Sequence, residues 1–321
     1  MSLLKAFVFP GQGSQSIGMG KFLFDQFPIA KQTFKEASEA ISLDLEKLCF
    51  TGPEAELALT ENTQPALLTV SVATTRVLKE MGINPDITAG HSIGEYSSVV
   101  LSETLSFSDA MKAVRLRGQA MQAAVPAGRG GMIATLGLTE DQVQFLCDWA
   151  VKNSETGPVS PANFNCDGQI VISGNQITLD WLRTNFKPEI LPGEVKRVKL
   201  IPLQVSAPFH CEMMKPAQAQ MAEFFNTLKF NRATLPIVQN VHARSETTAE
   251  NIRQNLVSQV SAPVKWTQTM SEFKRLNAAT IIECGNGTVL KGLFKKSDPE
   301  FFKVYSTNSL DDLKALEALK A

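Results

Sequence analysis

The chain has 321 residues, of which 44% are hydrophobic and 20% charged, and its formal net charge at pH 7 is −1. This composition is typical of a globular protein, and it argues against a disordered chain and against a strongly basic, nucleic-acid-binding surface. No apolar run approaches the roughly 18 residues of a membrane span, and the N-terminal run is too short for a signal peptide. Five cysteines without C-x-x-C spacing predict reduced thiols and no zinc site. We therefore expect a soluble, cytoplasmic protein with no nucleic-acid or membrane partner.

Short apolar runs alternate with helical patterns along the N-terminal part of the chain. The patterns predict strands at 6–9 and 87–90, and helices near 28–40, 64–80 and 108–125. Such alternation is typical of a parallel sheet covered by helices on both faces. After residue 202 we predict a helix near 212–228 and strands near 236–241 and 280–283. These segments predict one large α/β-hydrolase-like domain over residues 1–127 and 199–321.

The glycine-dense run at 127–131 marks the start of a different pattern. It is followed by strands at 132–136, 159–164, 169–173 and 195–200, and by helices at 139–152 and 176–186. The Asp167-Gly168 pair between the two middle strands is a hairpin signal. The order β-α-β-β-α-β is that of a ferredoxin-like unit, so we predict a small inserted subdomain over 128–198.

Residues 90–94 form a G-x-S-x-G pentapeptide, Gly90-His91-Ser92-Ile93-Gly94, between a predicted strand and a helical pattern. In this context the pattern predicts a nucleophile elbow, in which flanking glycines allow a sharp turn that exposes the Ser92 hydroxyl. The pentapeptide alone occurs by chance in roughly one chain in ten of this length. The assignment of Ser92 as a nucleophile therefore depends on whether the chain also supplies a base and oxyanion donors.

A serine nucleophile needs a base, and the chain has three histidines. His91 adjoins Ser92, where neighbouring side chains diverge, so it is a poor acceptor for that proton. His242 follows a predicted strand and is interpreted as structural. His210 lies in a loop just after the return from the predicted subdomain, where α/β folds place site residues, and is the predicted base. Cys211, which no elbow presents, is interpreted as a packing residue.

A serine acyl-enzyme also needs donors for its oxyanion. In elbow enzymes one donor is the backbone N–H of the residue after the nucleophile, here Ile93. The second commonly comes from a loop after an early strand, and residues 10–15 form such a glycine-rich loop. A phosphate cradle and a simple tight turn are the alternatives, although the dinucleotide spacing and a Walker lysine are both missing.

Arg117 lies in the middle of an apolar helical stripe. The stripe consists of positions 110, 113, 114, 117, 120, 121 and 124. A permanent charge there is costly unless it is partnered. We interpret Arg117 as a guanidinium that binds a substrate carboxylate, with an internal ion pair as the alternative. Arg115 points elsewhere and is interpreted as solvated.

Taken in order along nearly the whole chain, these motifs resemble the malonyl-CoA:acyl-carrier-protein transacylases. The matching segments are 7–15, 63–67, 90–96, 115–118, 163–165, 208–210 and 263–266. Ile93 stands where that family usually has leucine, and Asn286 stands where it more often has proline. Phe209 is a variant found in malonyl-selective members, so malonyl is favoured over methylmalonyl.

The resemblance implies a role for each matching residue. Ser92 would be acylated, His210 would be its base, and Arg117 would bind the malonyl carboxylate. The backbone N–H groups of Gln12 and Ile93 would form the oxyanion hole, and the backbone carbonyl of Gln259 would orient His210. The substrate-binding positions would also include Gln64, His91 and Asn163.

The implied reaction is ping-pong transfer of malonyl from malonyl-CoA to the phosphopantetheine thiol of a holo acyl carrier protein, for fatty acid synthesis. Thioester exchange needs no metal, nucleotide or redox cofactor, and we expect a monomer. The alternatives are a malonyl transferase of a polyketide assembly line, a serine acyl hydrolase and a non-catalytic carrier-binding module. Because carrier proteins are acidic, the candidate docking residues are basic: Lys196, Arg197, Lys199, Lys291, Lys295 and Lys296.

Overall fold

The fold consists of two mixed β-sheets and many helices. A computed structural model describes residues 4–194 and 197–320. The strands are β1 (Lys5–Phe9), β2 (Ile87–Gly90), β3 (Gly130–Leu136), β4 (Val159–Cys166), β5 (Gln169–Asn175), β6 (Lys199–Pro202), β7 (Ile237–Val238), β8 (Ser245–Glu246), β9 (Val264–Lys265), β10 (Thr280–Glu283) and β11 (Lys303–Tyr305). The first sheet has the order β11-β10-β1-β2-β7-β8, and the second has the order β6-β3-β5-β4-β9.

The α-helices surround both sheets. They are α1 (Lys21–Gln26), α2 (Pro28–Ile41), α3 (Leu45–Phe50), α4 (Glu54–Leu57), α5 (Thr60–Glu80), α6 (Gly94–Leu101), α7 (Phe107–Ala123), α8 (Glu140–Ser154), α9 (Gln176–Asn185), α10 (Lys215–Phe225), α11 (Ala249–Gln259), α12 (Trp266–Arg275), α13 (Val289–Ser297) and α14 (Leu310–Ala315). Short 3₁₀ turns lie at Pro188–Ile190, Glu212–Met214 and Glu317–Leu319. Among the described residues, no helix has both the length and the hydropathy needed to cross a membrane.

In the first sheet, β1 lies between β10 and β2 and is parallel to both. Its residues are almost entirely buried, as expected for a parallel strand covered on both faces. Phe9 is in register with Gly90, so the carboxyl ends of β1 and β2 lie side by side. The loops that follow these two strands therefore meet at one edge of the sheet. Among the described strands of this sheet, the outer strand β8 alone runs antiparallel to its neighbour.

The second sheet is antiparallel from β6 to β4 and has its own apolar core under α8 and α9. Its last strand, β9, pairs in parallel with β4 and comes from a later part of the chain than the predicted subdomain. Sequence patterns did not reveal β9 because it is only two residues long, Val264–Lys265. The predicted strand at 195–200 forms instead at Lys199–Pro202, and residues 195–196 lie outside the described residues.

Two further predicted elements are shorter in the structure. The predicted helix at 212–228 divides into a 3₁₀ turn and α10, because Pro216 lies in the first turn of α10 and favours a new helix start. The predicted strand at 236–241 contains only Ile237–Val238, since the following residues, Gln239 and Asn240, bond through their side chains to other elements.

Helices α5 and α7 pack closely and carry part of the site. The N-cap of α7 is Ser106, whose hydroxyl accepts the backbone N–H of Asp109. Gly118 of α7 lies against the start of α5, where a Cβ would come within 2.5 Å of the Glu61 Cα. This close approach buries the face of α7 that carries Arg117.

Candidate active site

The pentapeptide at 90–94 forms the predicted elbow between β2 and α6. Ser92 has a φ of 51°, in the left-handed region that non-glycine residues seldom adopt. A Cβ on Gly90 would lie 1.9 Å from the carbonyl carbon of Gly94, and one on Gly94 would lie 2.2 Å from the carbonyl oxygen of Phe9. Both glycines of the pattern are therefore required by the close approach of backbone to backbone.

His210 lies directly beside the elbow. Its Nε2 is 2.7 Å from the Ser92 Oγ. Its Nδ1 faces the carbonyl oxygens of Gln259, at 2.9 Å, and Ala262, at 3.2 Å. Because carbonyl oxygens only accept hydrogen bonds, Nδ1 carries the proton and Nε2 is left to accept from the Ser92 hydroxyl. The arrangement is a serine–histidine pair oriented by backbone carbonyls.

The charge state of His210 suits a base. Burial, together with the positive charge of Arg117, lowers the pKa of His210 from 6.5 to about 3. A lowered pKa means that the imidazole stays neutral as the pH falls through 6.5 and is protonated only near the lower value. At neutral pH His210 is therefore a neutral hydrogen-bond acceptor for the Ser92 hydroxyl.

We predict that reactivity of Ser92 persists on the acidic side of pH 6.5. Labelling by a fluorophosphonate, which lacks a titrating carboxylate, should proceed at a nearly constant rate from about pH 8 down to about pH 4.5, because the acid limb lies below that range. In Arg117→Ala the limb should move upward, because one cause of the lowered pKa of His210 is removed. A wild-type limb near 6.5 would contradict the assignment of a neutral, buried base.

Arg117 lies beside the same hydroxyl, with 1% of its surface exposed. Its Nη2 donates to Gln259 Oε1 at 2.9 Å and to Ser92 Oγ at 3.2 Å. Its Nε is buried without an acceptor, and no carboxylate in the described part of the chain comes within 4.0 Å of the guanidinium. The guanidinium instead lies above the Tyr96 ring in a cation–π contact, with its Cζ 5.7 Å from the ring centroid. This incompletely bonded guanidinium can take a carboxylate ligand.

The residues that carry the two expected oxyanion donors line the same cavity. The backbone N–H groups of Gln12 and Ile93 have no acceptor among residues 4–194 and 197–320, and both residues line the cavity at Ser92. The loop after β1 reaches the elbow closely, since a Cβ on Gly11 would lie 2.9 Å from the His91 carbonyl oxygen. Two free N–H groups beside a nucleophile can stabilise an oxyanion.

One cavity of about 110 Å³ brings together nearly all the sequence-predicted site residues. Its polar lining consists of Gln12, Gln64, His91, Ser92, Arg117, Asn163 and His210, and its apolar lining includes Met121, Met132, Leu203, Val205 and Phe209. Both sheets contribute, because Ser92 follows β2 of the first sheet and Asn163 lies on β4 of the second. This volume is small and suits a short acyl group.

The remaining predicted residues have distinct contacts. The His91 Nε2 lies 2.9 Å from Asn165 Oδ1, so this ring nitrogen bonds to Asn165 and not to Ser92. The Gln64 Oε1 is buried and accepts no hydrogen bond within the described chain. Gln259 does not line the cavity, but its backbone oxygen accepts the His210 Nδ1–H, as the resemblance implies.

Three residues interpreted as non-catalytic lie away from the chemistry, and one interpretation is corrected. Arg115 is not simply solvated: it donates to the Glu61 carbonyl oxygen at 2.8 Å and pairs with the Glu61 carboxylate at 3.5 Å. Sequence patterns missed this pair because it depends on the α5–α7 packing. His242 accepts the Arg244 N–H, and buried Cys211 lies against the Pro208 carbonyl oxygen, so both are bonded structurally.

Sequence reasoning missed a polar network behind the elbow. Gln259 acts through its side chain as well as its backbone, since Nε2 donates to the Ser92 carbonyl oxygen at 2.9 Å. Asn240 bonds to the elbow, and the fully buried Glu95 accepts from the backbone N–H of Asn240 at 2.7 Å. Burial raises the pKa of Glu95 to about 7, and its hydrogen bonds oppose that rise. The sequence indicates this network only through Glu95, a charged residue in an otherwise uncharged helical stretch.

Comparison with known proteins shows the family of this chain. The family model described as the acyl transferase domain matches residues 6–296. The chain belongs to the acyl transferase domain family. This acyl transferase is 44% identical to the malonyl CoA-acyl carrier protein transacylase of Bacillus subtilis over 92% of its own length and 94% of the relative. It is 41% identical to the Haemophilus influenzae protein of the same name, over 97% of both chains.

Solved structures agree with the sequence relatives. FabD from Acinetobacter baumannii is 40% identical with a TM-score of 0.92, over 99% of this chain and 98% of that one. An acyl carrier protein S-malonyltransferase from Vibrio cholerae is also 40% identical, with a TM-score of 0.89, over 97% of this chain and 99% of that one. The mixed α/β fold with two sheets is therefore that of the FabD structures.

Proposed function

We propose that this acyl transferase moves malonyl from malonyl-CoA to the phosphopantetheine thiol of a holo acyl carrier protein through a malonyl-serine intermediate. The observation that carries the proposal is the buried Arg117, which has an unpartnered Nε and lies 3.2 Å from the Ser92 Oγ. A nucleophile beside such a cation selects an acyl group with a second, distal carboxylate. The names of the relatives agree with this substrate.

In the first half-reaction, the Ser92 Oγ attacks the thioester carbonyl carbon while its proton passes to the His210 Nε2. The backbone N–H groups of Gln12 and Ile93 stabilise the oxyanion. Collapse of the tetrahedral intermediate breaks the C–S bond, and His210 returns the proton to the sulfur of CoA. In the second half-reaction, His210 takes the proton of the carrier thiol, the thiolate attacks the ester, and the Ser92 Oγ regains a proton.

Arg117 supplies selectivity for malonyl. An acyl-CoA without the distal carboxylate leaves the guanidinium buried and incompletely bonded, which discriminates by about 2–4 kcal/mol. The apolar Phe209 beside His210 narrows the same cavity and supports malonyl over methylmalonyl. Gln64 and Asn163 complete the polar lining and are proposed to hold the substrate.

Fatty acid synthesis is the proposed pathway, and polyketide synthesis is the second candidate. One matching chain comes from a solved complex of a type II PKS acyl-carrier protein with its malonyl-transacylase. It is 38% identical to this protein, with a TM-score of 0.89, over 98% of this chain and 99% of that one. A serine hydrolase is disfavoured, because backbone carbonyls rather than a carboxylate orient His210.

We further propose that the chain divides into an α/β-hydrolase-like domain at 1–127 and 199–321 and a ferredoxin-like subdomain at 128–198. The order β6-β3-β5-β4, with α8 and α9 as connections, supports the small unit. A cytoplasmic monomer is proposed as well. All the proposed catalytic groups come from one chain, the five cysteines are unpaired and buried, and the net charge of −1 offers nucleic acid little attraction.

The proposed carrier-protein surface lies at one end of the second sheet. Lys199 pairs in register with Leu136, which pairs with Gln169, and the Lys296 Nζ donates to the Gln169 Oε1. Arg197, Lys199, Lys295 and Lys296 are exposed, whereas Lys291 is partly buried and bonded to Ser306. Lys196 lies outside the described residues. An acidic carrier protein would be attracted to such a cluster.

The decisive experiment is intact-protein mass spectrometry after mixing with malonyl-CoA, with acetyl-CoA as the matched control. We expect a malonyl adduct that holo carrier protein discharges and little adduct with acetyl-CoA. Continuous release of CoA into water without an adduct would instead indicate a hydrolase. Neither adduct nor release would indicate a non-catalytic binding module.

A further inference from the structure

The side chain of Asn240 holds the elbow on both sides of His91. Its Oδ1 accepts the backbone N–H of Ser92 at 2.8 Å, and its Nδ2 donates to the carbonyl oxygen of Gly90 at 2.7 Å. Asn240 is fully buried, so neither bond competes with water. The elbow needs one acceptor and one donor at this place, and a primary amide offers both.

The position of Asn240 follows from the first sheet. The pairing of β2 with β7 ends at Ala89 and Val238, just before the elbow turns away. Beyond that point no backbone ladder from β7 continues, and the side-chain amide of Asn240 bonds to the peptide groups in its place. The sheet therefore extends its hydrogen bonding to the nucleophile through one side chain.

Asn240 is itself fixed by its neighbours. Its backbone N–H donates to Glu95 Oε2 at 2.7 Å, and its carbonyl oxygen accepts the Lys265 N–H at 3.1 Å. The other oxygen of Glu95 accepts from Gln239 Nε2 at 3.1 Å. Because Glu95 lies in the first turn of α6, the helix that follows Ser92 also holds the residue that positions Ser92.

Ser92 depends on such support because its geometry is demanding. Its φ of 51° is uncommon for a residue with a side chain. Its Oγ must stay 2.7 Å from His210 and 3.2 Å from Arg117 at once. A small rotation of the peptide before Ser92 would lengthen one of these contacts.

We propose that Asn240 is a positioning residue for the nucleophile, acting through the backbone of Gly90 and Ser92 and never touching the substrate. It does not line the cavity, so its effect falls on the rate of acylation rather than on substrate binding. The inference rests on Ser92 being the nucleophile of the proposed function.

The test compares Asn240→Asp and Asn240→Ala with the wild-type protein. We expect both to slow malonylation of Ser92, measured by rapid quench and corrected for the active fraction, by about 30-fold, within the roughly 100-fold that a 1 Å misplacement can cost. The KM for malonyl-CoA should change by less than about threefold, since Arg117 is untouched. Lowering the pH should partly restore the malonylation rate of Asn240→Asp but not that of Asn240→Ala, because protonation of the introduced carboxyl returns a donor to the Gly90 oxygen.

Asn255→Ala is the matched control. Asn255 donates to Gln239 Oε1 at 2.7 Å and makes no contact with the elbow, so its loss should leave the acylation rate unchanged. Fluorophosphonate labelling of Ser92 is followed in parallel, because it reports the nucleophile without malonyl. Slower labelling in the Asn240 variants would support a positioning role of Asn240, even if malonyl transfer itself fails. Wild-type rates of malonylation and labelling in a folded Asn240 variant would overturn that role.

Discussion

Ser92→Ala is expected to form no malonyl-enzyme and to lower transfer to the carrier thiol by about 10⁴-fold or more. Among the described residues, Ser92 carries the one hydroxyl that contacts both His210, at 2.7 Å, and Arg117, at 3.2 Å, and the substitution removes it. The guanidinium and the free N–H groups of Gln12 and Ile93 remain, so malonyl-CoA should still bind with an affinity near that of the wild type. Intact-mass analysis and calorimetric titration separate these two effects.

The matched control for this prediction is Ser97→Ala. Ser97 is buried on α6, the helix that begins at the elbow, but it is not part of the cavity lining. We expect this control to acylate at nearly the wild-type rate. A malonyl adduct that persists in Ser92→Ala would refute Ser92 as the nucleophile, and peptide mapping would show whether Cys211 carries it instead.

The elbow was predictable because its determinants are local. A Cβ at Gly90 or Gly94 would overlap the neighbouring backbone, so the pentapeptide carries its own structural requirement. His210 was predicted as the base by elimination among three histidines, and Arg117 as a carboxylate ligand by its place in an apolar stripe. These inferences needed only the sequence spacing and the cost of burying a charge.

The parts that sequence did not predict depend on contacts between distant segments. Asn240 matters only because β7 pairs with β2, and its distance from Ser92 along the chain is 148 residues. The side chain of Gln259 reaches Arg117 and Ser92 only because α11 ends beside the elbow. Likewise, β9 has two residues and no periodic pattern of its own, so only its pairing with β4 reveals it.

The contact between Arg117 and the nucleophile also links substrate charge to base strength. After burial, the charge of Arg117 is the next cause that lowers the pKa of His210. In the proposed function, a malonyl carboxylate on Arg117 would offset that charge and raise the pKa of His210 toward its ordinary value. A malonyl group would therefore also meet a stronger base than an acetyl group does.

Arg117→Ala is accordingly expected to change selectivity more than activity in general. For malonyl-CoA we expect kcat/KM to fall by about 10³-fold, equivalent to about 4 kcal/mol, because a desolvated carboxylate loses its partner. For acetyl-CoA we expect a change of less than about tenfold, directed upward, because the pKa of His210 rises when the charge is removed.

Arg115→Ala is the control for Arg117→Ala. It removes a guanidinium from the same helix, but the Arg115 guanidinium bonds to Glu61 and does not line the cavity. Its ratio of malonyl to acetyl kcat/KM should equal that of the wild type. Equal losses for malonyl-CoA and acetyl-CoA in Arg117→Ala would show that the arginine supports the fold or the nucleophile without reading the substrate. A collapse of the ratio confined to Arg117→Ala would identify the buried guanidinium as the group that distinguishes a diacid thioester from a monoacid one.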